Sequence, residues 1–516
     1  MRDYSKNEHN PLKGRAININ AMTLFKRGND YLELKQFSEA IECYSNSILI
    51  NPADHNVYSN RANAYFSLGL LEKALGDFNK AIELNQTIPE IFFNRGVCLF
   101  TMRNFHEALE NYERALELNP HYFSALVNRG NVLRELRKLD EALRNYAQAL
   151  KIQPNSYETL NNIGVVLYEL RYFTEAQEAF QASIDIFPDY ASAHWNLSIC
   201  YLIQGNYEQG WLEFEWRWKN QLGSLYSAQR KFNVPLWLGQ ESLEGKTILI
   251  HAEQGLGDTL QFCRFIKFFE LIGARVVLEV QEQLVELLQT LSRNIVCMPF
   301  GSSLPHYDFH CPLMSLPLAF KISIHTLENQ LPYIFPDFIK VNEWQKRLSI
   351  YEGFKVGLVW SGGYRANQPE SWATHFRRNI PLKQLLKIKN PQINFFSLQK
   401  GEIPNKELKQ IKNDTDFTKV VDYTTEFVDF SDTAAFIQNL DLIISVDTSV
   451  AHLAGAIGKP IWLLNRYDSC WRWLFGREDS PWYPSMKIFQ QIYPNNWEDV
   501  ILKVSTEIEK KLEEFF

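Results

Sequence analysis

A short polar segment in the last quarter of the sequence combines residues that could bind an anion. Asp447, Thr448 and Ser449 follow the apolar run 440–446, and a pattern with helical spacing comes next. Backbone N–H groups and hydroxyls at the start of a helix can hold a phosphate, because the helix dipole favours negative charge there. His452 lies one turn into this helix, where a lone histidine is either structural or a contact for the same ligand. The segment therefore predicts an anion site that needs no excess of basic residues.

A second segment combines a glycine turn with a carboxylate. The largely apolar run 246–251 leads into Gln254-Gly255-Leu256-Gly257-Asp258, and a helical pattern follows. Asp258 then lies at the carboxyl end of a strand, where open α/β sheets bind ligands, and its carboxylate could take a proton from a substrate hydroxyl. The same carboxylate could instead cap the helix that follows. Glu253 is an alternative base.

The composition excludes several classes of protein. The chain has 516 residues with 53 basic and 60 acidic side chains, so its net charge is −7 and we expect no nucleic-acid partner. It contains no run of about 18 apolar residues, and residues 1–20 are polar, so we expect no transmembrane segment and a cytoplasmic location. Its seven cysteines are scattered and form no CxxC pair. This pattern favours reduced thiols and argues against a structural metal site.

A self-similarity of 34 residues runs through the first half of the chain. In six successive registers a small residue of a first helix recurs with an alanine or glycine and an aromatic residue of a second helix, as in Gly130, Ala142 and Tyr146. Small residues let two helices approach closely while the aromatic ring fills the gap, so each period predicts a helix hairpin. These residues resemble the tetratricopeptide repeat (TPR), whose arrays form a superhelix with a concave face that usually holds a protein or peptide.

Asparagine occupies one position of five successive first helices, at Asn60, Asn94, Asn128, Asn162 and Asn196. A primary amide both donates and accepts hydrogen bonds, so a ladder of amides could hold the backbone of a protein acceptor. The pattern resembles the asparagine ladder of the O-GlcNAc transferases. The alternative, with equal weight, is that these residues bond neighbouring repeats to one another.

The 34-residue period stops after Leu222, and strand and helix patterns alternate in the remainder of the chain. This alternation predicts two Rossmann-like α/β units after an α-solenoid. The expected ranges are an N-terminal extension at 1–20, about six TPRs at 21–222, a linker at 223–245, a first α/β domain at 246–345, a second at 346–496, and a terminal helix at 497–516 that returns to the first domain.

Segments 254–258 and 446–455 together resemble the GT-B glycosyltransferases of the ADP-heptose:lipopolysaccharide heptosyltransferase superfamily, glycosyltransferase family 9. Arg378-Asn379-Ile380-Pro381-Leu382 is similar to a further block of that family, usually Arg-Ser-Ile-Pro-Leu, and 480–484 is similar to its C-terminal block. The resemblance covers about residue 246 to the C-terminus. Fusion of TPRs to such a domain is similar to the architecture of bacterial flagellin glycosyltransferases and O-GlcNAc transferases.

The resemblance implies a GT-B fold of two facing Rossmann-like domains, the first on the acceptor side and the second binding a nucleotide sugar. It implies an inverting transfer to a protein held by the TPR array, such as flagellin or another surface protein, with Asp258 as the base. No cofactor besides the nucleotide-diphosphate sugar and no metal is expected, so the DxD sequence Asp414-Thr415-Asp416 is discounted as a metal motif. The implied donor-binding residues are Gly255, Gly257, Ser361, Gly362, Arg378, Asp447, Thr448, Ser449 and His452.

Two other functions remain open at this point. One is a lipopolysaccharide-type transferase that acts on a saccharide, with the array recruiting partners. The other is a non-catalytic TPR scaffold whose GT-B domain has lost activity, since folds outlive functions. The aromatic residues Trp471, Trp473, Trp482 and Tyr483 could stack on a sugar or fill the interface between domains.

Overall fold

The structure is a computed structural model that describes residues 11–219, 230–327, 331–363, 376–411 and 419–516. It divides into two compact units. The first contains Met1–Leu170 and Ala182–Pro188, and the second contains Arg171–Gln181 and Asp189–Phe516.

Helices fill the repeat region, two to each period of 34 residues. The first of them begins within the expected N-terminal extension, at Pro11. The bounds in the described residues are α1 (Pro11–Glu33), α2 (Phe37–Ile50), α3 (His55–Ser67), α4 (Leu71–Leu84), α5 (Pro89–Thr101), α6 (Phe105–Leu118), α7 (Phe123–Glu135), α8 (Leu139–Ile152), α9 (Tyr157–Glu169), α10 (Phe173–Ile186), α11 (Ala191–Ile203) and α12 (Tyr207–Phe214).

Glycine and tyrosine pack against each other within these helix pairs, as the periodicity predicts. A Cβ atom added to Gly96 would lie 2.6 Å from the ring of Tyr112, and one added to Gly130 would lie 2.4 Å from the ring of Tyr146. Both tyrosine side chains are fully buried. Any larger residue would separate the two helices, so the glycine is what permits their close packing.

The last pair, α11 and α12, belongs to the second unit together with the 3-10 turn Glu215–Trp218. Trp211 of α12 donates from Nε1 to the carbonyl oxygen of Ile322 at 3.2 Å. Its ring also packs edge-on against Trp471, with centroids 5.5 Å apart. The large apolar residues at the end of the array therefore form a packing surface for the segments that follow.

Residues 230–245, part of the expected linker 223–245, are folded onto the first α/β domain. Leu236 forms a parallel β-bridge with His310, and the N–H of Trp237 donates to the carbonyl oxygen of His310 at 2.9 Å. Trp237 is only 3% exposed. This stretch is therefore part of the domain core and does not act as a spacer.

The rest of the second unit alternates strands and helices, which confirms a C-terminal α/β region. No helix of the described residues combines the length and apolar composition needed to cross a bilayer. The elements are β1 (Thr247–His251), α13 (Leu256–Phe262), α14 (Lys267–Leu271), β2 (Arg275–Val280), α15 (Val285–Leu288), β3 (Ile295–Pro299), β4 (Phe309–Pro312), α16 (Leu316–Ala319), α17 (Phe338–Leu348), β5 (Phe354–Val359), α18 (Leu382–Leu385), β6 (Ile393–Ser397), α19 (Glu402–Ile411), β7 (Val420–Asp422), α20 (Phe430–Gln438), β8 (Leu442–Val446), α21 (Ser449–Ala456), β9 (Ile461–Asn465), β10 (Met486–Gln490) and α22 (Glu498–Phe515).

The strands form two parallel sheets, in the orders β3-β2-β1-β4 and β10-β9-β8-β5-β6-β7. The direction of winding reverses between β1 and β4 in the first sheet and between β5 and β8 in the second. Ligands of open α/β sheets bind outside the carboxyl ends of the strands at such points. The loops that follow β1, β5 and β8 are therefore placed for ligand binding.

The terminal helix α22 packs in a different place from the one expected. Its apolar stripe shares a core with residues of the second sheet, including Val356 and Leu442, and the helix contacts β10. The expectation that it returns to the first domain is therefore wrong. The stripe consists of Val500, Ile501, Val504, Ile508 and Leu512, none of them more than 4% exposed.

We expect Ile508→Ala to destabilise the second α/β domain by roughly 2 to 5 kcal/mol, because it opens a cavity in a closed core. The matched control is Leu502→Ala on the same helix, where the side chain is 69% exposed and little change is expected. Urea unfolding measures both. Equal stabilities of the two variants would contradict this placement of α22.

Two histidines of the second unit are buried and uncharged. Burial lowers the pKa of His251, at the end of β1, to about 3. It lowers the pKa of His452, in α21, to about 4. In the unfolded chain both return to an ordinary pKa near 6.5, so the unfolded state binds protons there that the folded state does not.

We therefore expect the free energy of unfolding to fall as pH is lowered from about 6.5 towards 4, by on the order of 1 kcal/mol per pH unit for each histidine. Replacing His452 by Asn should flatten this dependence, measured as urea midpoints at several pH values. His306 is the control, since its side chain is 87% exposed. An unchanged slope in His452→Asn would show that this imidazole is not the titrating group.

Candidate functional site

The loops after β5 and β8 lie side by side at the switch point of the second sheet, where Val359 pairs with Ser445. Thr448 is the N-cap of α21, and its hydroxyl bonds the Ser445 hydroxyl at 2.9 Å. No side chain caps this helix among the described residues, and Asp447 therefore does not serve as its cap. The start of α21 faces the carboxyl end of the sheet with its first N–H groups directed outward.

Ser361 and Gly362, in the loop after β5, do not offer their amides to a ligand. The N–H of Ser361 donates to Gln399 Oε1 at 2.8 Å, and the N–H of Gly362 donates to Asn379 Oδ1 at 2.9 Å. These contacts fix the loop in place. They also give Asn379, where the resembling family usually has serine, a structural role of its own.

Gly362 instead makes room for the guanidinium of Arg378. A Cβ atom added to Gly362 would lie 1.9 Å from Nη2 of that arginine, whereas the same atom on Gly363 would meet nothing within 4 Å. Only glycine at position 362 lets Arg378 reach this place beside the switch point. Part of the adjoining loop, 364–375, lies outside the described residues.

Asp258 occupies the third position of α13 and closes the glycine turn. Its Oδ2 accepts from the N–H of Gly255 at 2.8 Å, while its own N–H donates to the carbonyl oxygen of Gly255 at 3.1 Å. The capping role considered for this residue is therefore present in the structure. Its Oδ1 accepts from Nη2 of Arg472 in an ion pair.

The two chemistry-bearing segments meet at Gly257. A Cβ atom added to this glycine would lie 2.8 Å from Cδ2 of His452 and 3.4 Å from Cα of Ser449. Helix α13 and helix α21 are thus in close contact, although α13 follows a strand of the first sheet and α21 follows a strand of the second. The glycine is required here by close approach rather than by its backbone angles.

Arg472 pairs with the first of these segments and lies within electrostatic range of the second, and it was not identified from the sequence. Besides Asp258, its guanidinium donates to Gln261 Oε1 at 2.9 Å and to Cys470 Sγ at 3.2 Å. The side chain is 11% exposed and lies over the ring of Trp471. One feature of the sequence could have indicated it: Arg472 is a charged residue between two tryptophans, in a segment whose other residues are typical of an aromatic core.

Charges of opposite sign are balanced within this cluster. Burial by itself lowers the pKa of Arg472, but Asp258, Cys470 and Asp447 together outweigh burial and hold that pKa above its usual range. At His452, burial and the Arg472 charge lower the pKa, while the two carboxylates oppose them. The expected site residues Asp258, Asp447 and His452 therefore lie within electrostatic range of one arginine.

His452 is held by its neighbours as a structural group. Its Nδ1 bonds the hydroxyl of Tyr483 at 2.9 Å, and its ring stacks on Trp473 with centroids 5.0 Å apart. Trp473, Trp482 and Tyr483 are fully buried, and Trp471 is 4% exposed. Of the two interpretations of this aromatic cluster, the structure supports interior packing rather than a surface that stacks on a sugar.

Glu253, the alternative base, is excluded by its surroundings. It is 1% exposed, and both of its carboxylate oxygens accept from Arg217 at 2.9 Å. The N–H of Met314 donates to the same group at 3.2 Å. This carboxylate anchors the end of the repeat array and has no path to a substrate hydroxyl.

The asparagine ladder of the first unit divides into two kinds. Asn60 donates to Asn29 in the preceding repeat at 2.9 Å, and Asn162 donates to Asn131 in the same way at 3.3 Å. Among the described residues, Asn128 bonds the carbonyl oxygen of Ser124 in its own helix, at 2.9 Å, and no other group.

No bond from the Asn94 side chain is present in the described part of the chain. Inter-repeat bonding thus accounts for Asn60 and Asn162, whereas Asn94 and Asn128 remain candidates for ligand contact. Asn196 lies in the second unit and has an interaction of its own.

A cavity of about 390 Å³ opens at the carboxyl ends of the first sheet's strands. Its lining includes His251 at the end of β1, Ala252 after it, Glu279 of β2 and Phe300 after β3. Glu279 is 2% exposed and ion-paired with Arg230. The lining is therefore polar without a net charge, since His251 is neutral.

The described residues contain no cluster of three metal-ligating side chains, while Asp414 and Asp416 lie outside them.

Comparison with known families identifies the repeats. Models of the tetratricopeptide repeat match residues 55–88, 89–122, 111–144 and 161–210, and a TPR repeat model matches 28–69 and 130–170. The N-terminal region therefore consists of TPR repeats.

The chain is 26% identical over 343 residues to protein FlbA of Caulobacter vibrioides (strain ATCC 19089 / CIP 103742 / CB 15). The alignment covers 62% of this chain, more than the repeats alone could supply, and 55% of FlbA. The chain thus spans about half the length of the relative it matches.

Solved TPR structures align with the repeat region. YrrB, described as a TPR protein with an unusual peptide-binding site, is 25% identical over 35% of this chain and 94% of its own, with a TM-score of 0.32. MamA is 21% identical over 33% of this chain and 94% of its own, with a TM-score of 0.31.

Proposed function

We propose that this protein is a glycosyltransferase of the GT-B type that moves a sugar from a nucleotide-diphosphate donor to a protein acceptor. One observation carries the proposal. The glycine turn that ends in Asp258 follows a strand of the first sheet, and the helix start at Thr448 and Ser449 follows a strand of the second, yet the two segments meet at Gly257. Arg472 pairs with Asp258 there and lies within electrostatic range of Asp447. A carboxylate, a buried cation and a helix N-terminus together are the groups that this transfer needs.

Each group has a part in the reaction. The leaving nucleotide diphosphate gains negative charge, which the start of α21, Arg472 and Arg378 stabilise. Asp258 takes the proton of the acceptor hydroxyl as that oxygen bonds to the anomeric carbon and the bond from this carbon to phosphate breaks. Attack on the face opposite the leaving group inverts the anomeric configuration. In this proposal, Asp447 binds the ribose of the nucleotide.

The donor site requires no divalent metal in this proposal, because arginines and a helix dipole supply the positive charge. The acceptor is a protein, such as flagellin or another surface protein, held along the TPR array by amides that include Asn94 and Asn128. The reaction takes place in the cytoplasm, where nucleotide sugars are available.

A second candidate function is transfer to a saccharide. The cavity of about 390 Å³ beside the β1 loop favours it, because its lining is polar, without net charge and partly aromatic. Such a lining suits the hydroxyl groups and apolar face of a sugar ring. The acceptor assay below separates the two functions.

The first experiment is a panel of nucleotide sugars and nucleoside diphosphates, tested by thermal stabilisation and by donor hydrolysis with and without EDTA. A ligand at 100 times its dissociation constant should add about 2.7 kcal/mol to stability. Binding that EDTA abolishes would overturn the metal-free site. Binding of no member of the panel would leave the chain a TPR scaffold.

We expect Gly362→Ala to weaken nucleotide-diphosphate binding at least about tenfold, since the new methyl group displaces the guanidinium of Arg378, a charge-assisted partner of the phosphates. Gly363→Ala is the matched control, because its Cβ would meet nothing within 4 Å. Calorimetric titration measures both affinities. Equal affinities in the two variants would remove Arg378 from the donor site.

The two kinds of asparagine should separate in mutagenesis. Replacing Asn94 and Asn128 by Ala should reduce transfer to the protein acceptor at least about tenfold, through two lost hydrogen bonds, with unchanged melting. Replacing Asn60 and Asn162 should lower the melting temperature, because their inter-repeat bonds are lost. Unchanged protein transfer in the first variant would favour the saccharide acceptor.

A further inference from the structure

Both oxygens of the Asp258 carboxylate are bonded. Oδ2 accepts from the Gly255 N–H at 2.8 Å, and Oδ1 accepts from Arg472. Each oxygen therefore keeps a second acceptor position, but a proton taken by Oδ1 would lie beside the guanidinium charge, which opposes its transfer. If Asp258 is the base, opening of the bond to Arg472 would favour the reaction.

The bond to Arg472 is the one that can open. Gly255 and Asp258 belong to the same turn, so the chain itself keeps them together. Arg472 approaches from the other α/β domain, and its guanidinium has further partners in Gln261 and Cys470. It can therefore turn away from Asp258 without losing all of its hydrogen bonds.

An anion bound at the start of α21 would lie close enough to interact with Arg472. Asp447, which precedes the start of α21, already acts on the charge of this guanidinium, and Ser449 lies against the turn that carries Asp258. A guanidinium carries five donors in a planar fork, a geometry that fits phosphate oxygens as well as a carboxylate. A diphosphate at the start of α21 would thus compete with Asp258 for the same arginine.

We propose that the diphosphate of the donor takes Arg472 from Asp258, so that donor binding itself frees the oxygen of the base. This inference rests on the proposed function. Oδ1 of Asp258 then accepts the acceptor's hydroxyl proton while the acceptor oxygen bonds to the anomeric carbon. The bond from this carbon to the nucleotide diphosphate breaks, and Arg472 stabilises the negative charge of the leaving group. Asp258 returns its proton to solvent and pairs with Arg472 again.

The test is nucleoside-diphosphate affinity, measured by calorimetry with UDP, GDP, ADP or dTDP, whichever stabilises the wild-type chain. Asp258→Asn keeps an oxygen for the Gly255 N–H but no longer holds the arginine by charge. We expect it to bind the diphosphate about tenfold more tightly than wild type, because the competitor is gone. Arg472→Met should bind at least about tenfold more weakly.

The double variant Asp258→Asn with Arg472→Met decides between competition and simple repulsion. Competition predicts the affinity of Arg472→Met alone, whereas repulsion between carboxylate and phosphate predicts tightening in both backgrounds. Arg472→Lys keeps the charge without the fork and should recover part of the affinity. Asp77→Asn, which breaks the 2.7 Å Arg61–Asp77 pair of the repeats, is the matched control and should leave affinity unchanged.

Weaker or equal binding in Asp258→Asn, or tightening that persists with Arg472→Met, would overturn the inference while the proposed function stands. Wild-type protein that binds none of the four diphosphates would overturn both. Circular dichroism and melting of each variant confirm that folded proteins are compared.

Discussion

The ion pair between Asp258 and Arg472 is the interaction on which the candidate site depends. It joins residues 214 positions apart in sequence and links the turn after β1 to the segment after β9. Taking a guanidinium out of water is expensive unless a carboxylate and further acceptors compensate for it. Asp258 and Gln261 provide this compensation from one side of the contact, and Cys470 provides it from the other. The distance between the turn after β1 and the segment after β9 is therefore fixed by charge as well as by packing.

Buried arginines hold the second unit together in two further places. Arg217, at the end of the repeats, is 1% exposed and pairs with Glu253 after β1. Arg264 is fully buried and donates to the carbonyl oxygen of Trp482 at 2.9 Å. Each arginine ties together segments far apart in sequence. Because a lone buried charge is so costly, such contacts specify one arrangement of the segments and penalise others.

The sequence predicted those parts of the fold that produce a recurring pattern of residue types along the chain. Helix pairs followed from the 34-residue period because a small residue recurs opposite an aromatic ring, and Gly28, Gly96 and Gly130 each pack on a tyrosine. Contacts between distant segments leave no such pattern in the sequence. The residues around Arg472 therefore did not indicate that it pairs with Asp258. Glu253 was a candidate base because its pairing with Arg217 is visible only in the structure. The apolar stripe of α22 likewise shows that this helix must pack against a core, but it does not indicate which of the two sheets provides that core. The turn that carries Asp258 follows the first strand as predicted, whereas the partner of the second carboxylate oxygen depended on tertiary structure.

Electrostatics gives this arrangement a further consequence. The chain carries a net charge of −7, and the field of distant charges is screened beyond about 8 Å at physiological ionic strength. An anionic ligand is therefore held by groups in direct contact with it. An arginine that is already paired offers little to a weak monovalent anion, which cannot replace a carboxylate fixed in the same turn. A ligand with several adjacent phosphate oxygens can replace it, because it engages the guanidinium fork and the helix start together. Pairing at rest thus favours polyvalent anions over the far more abundant simple ones.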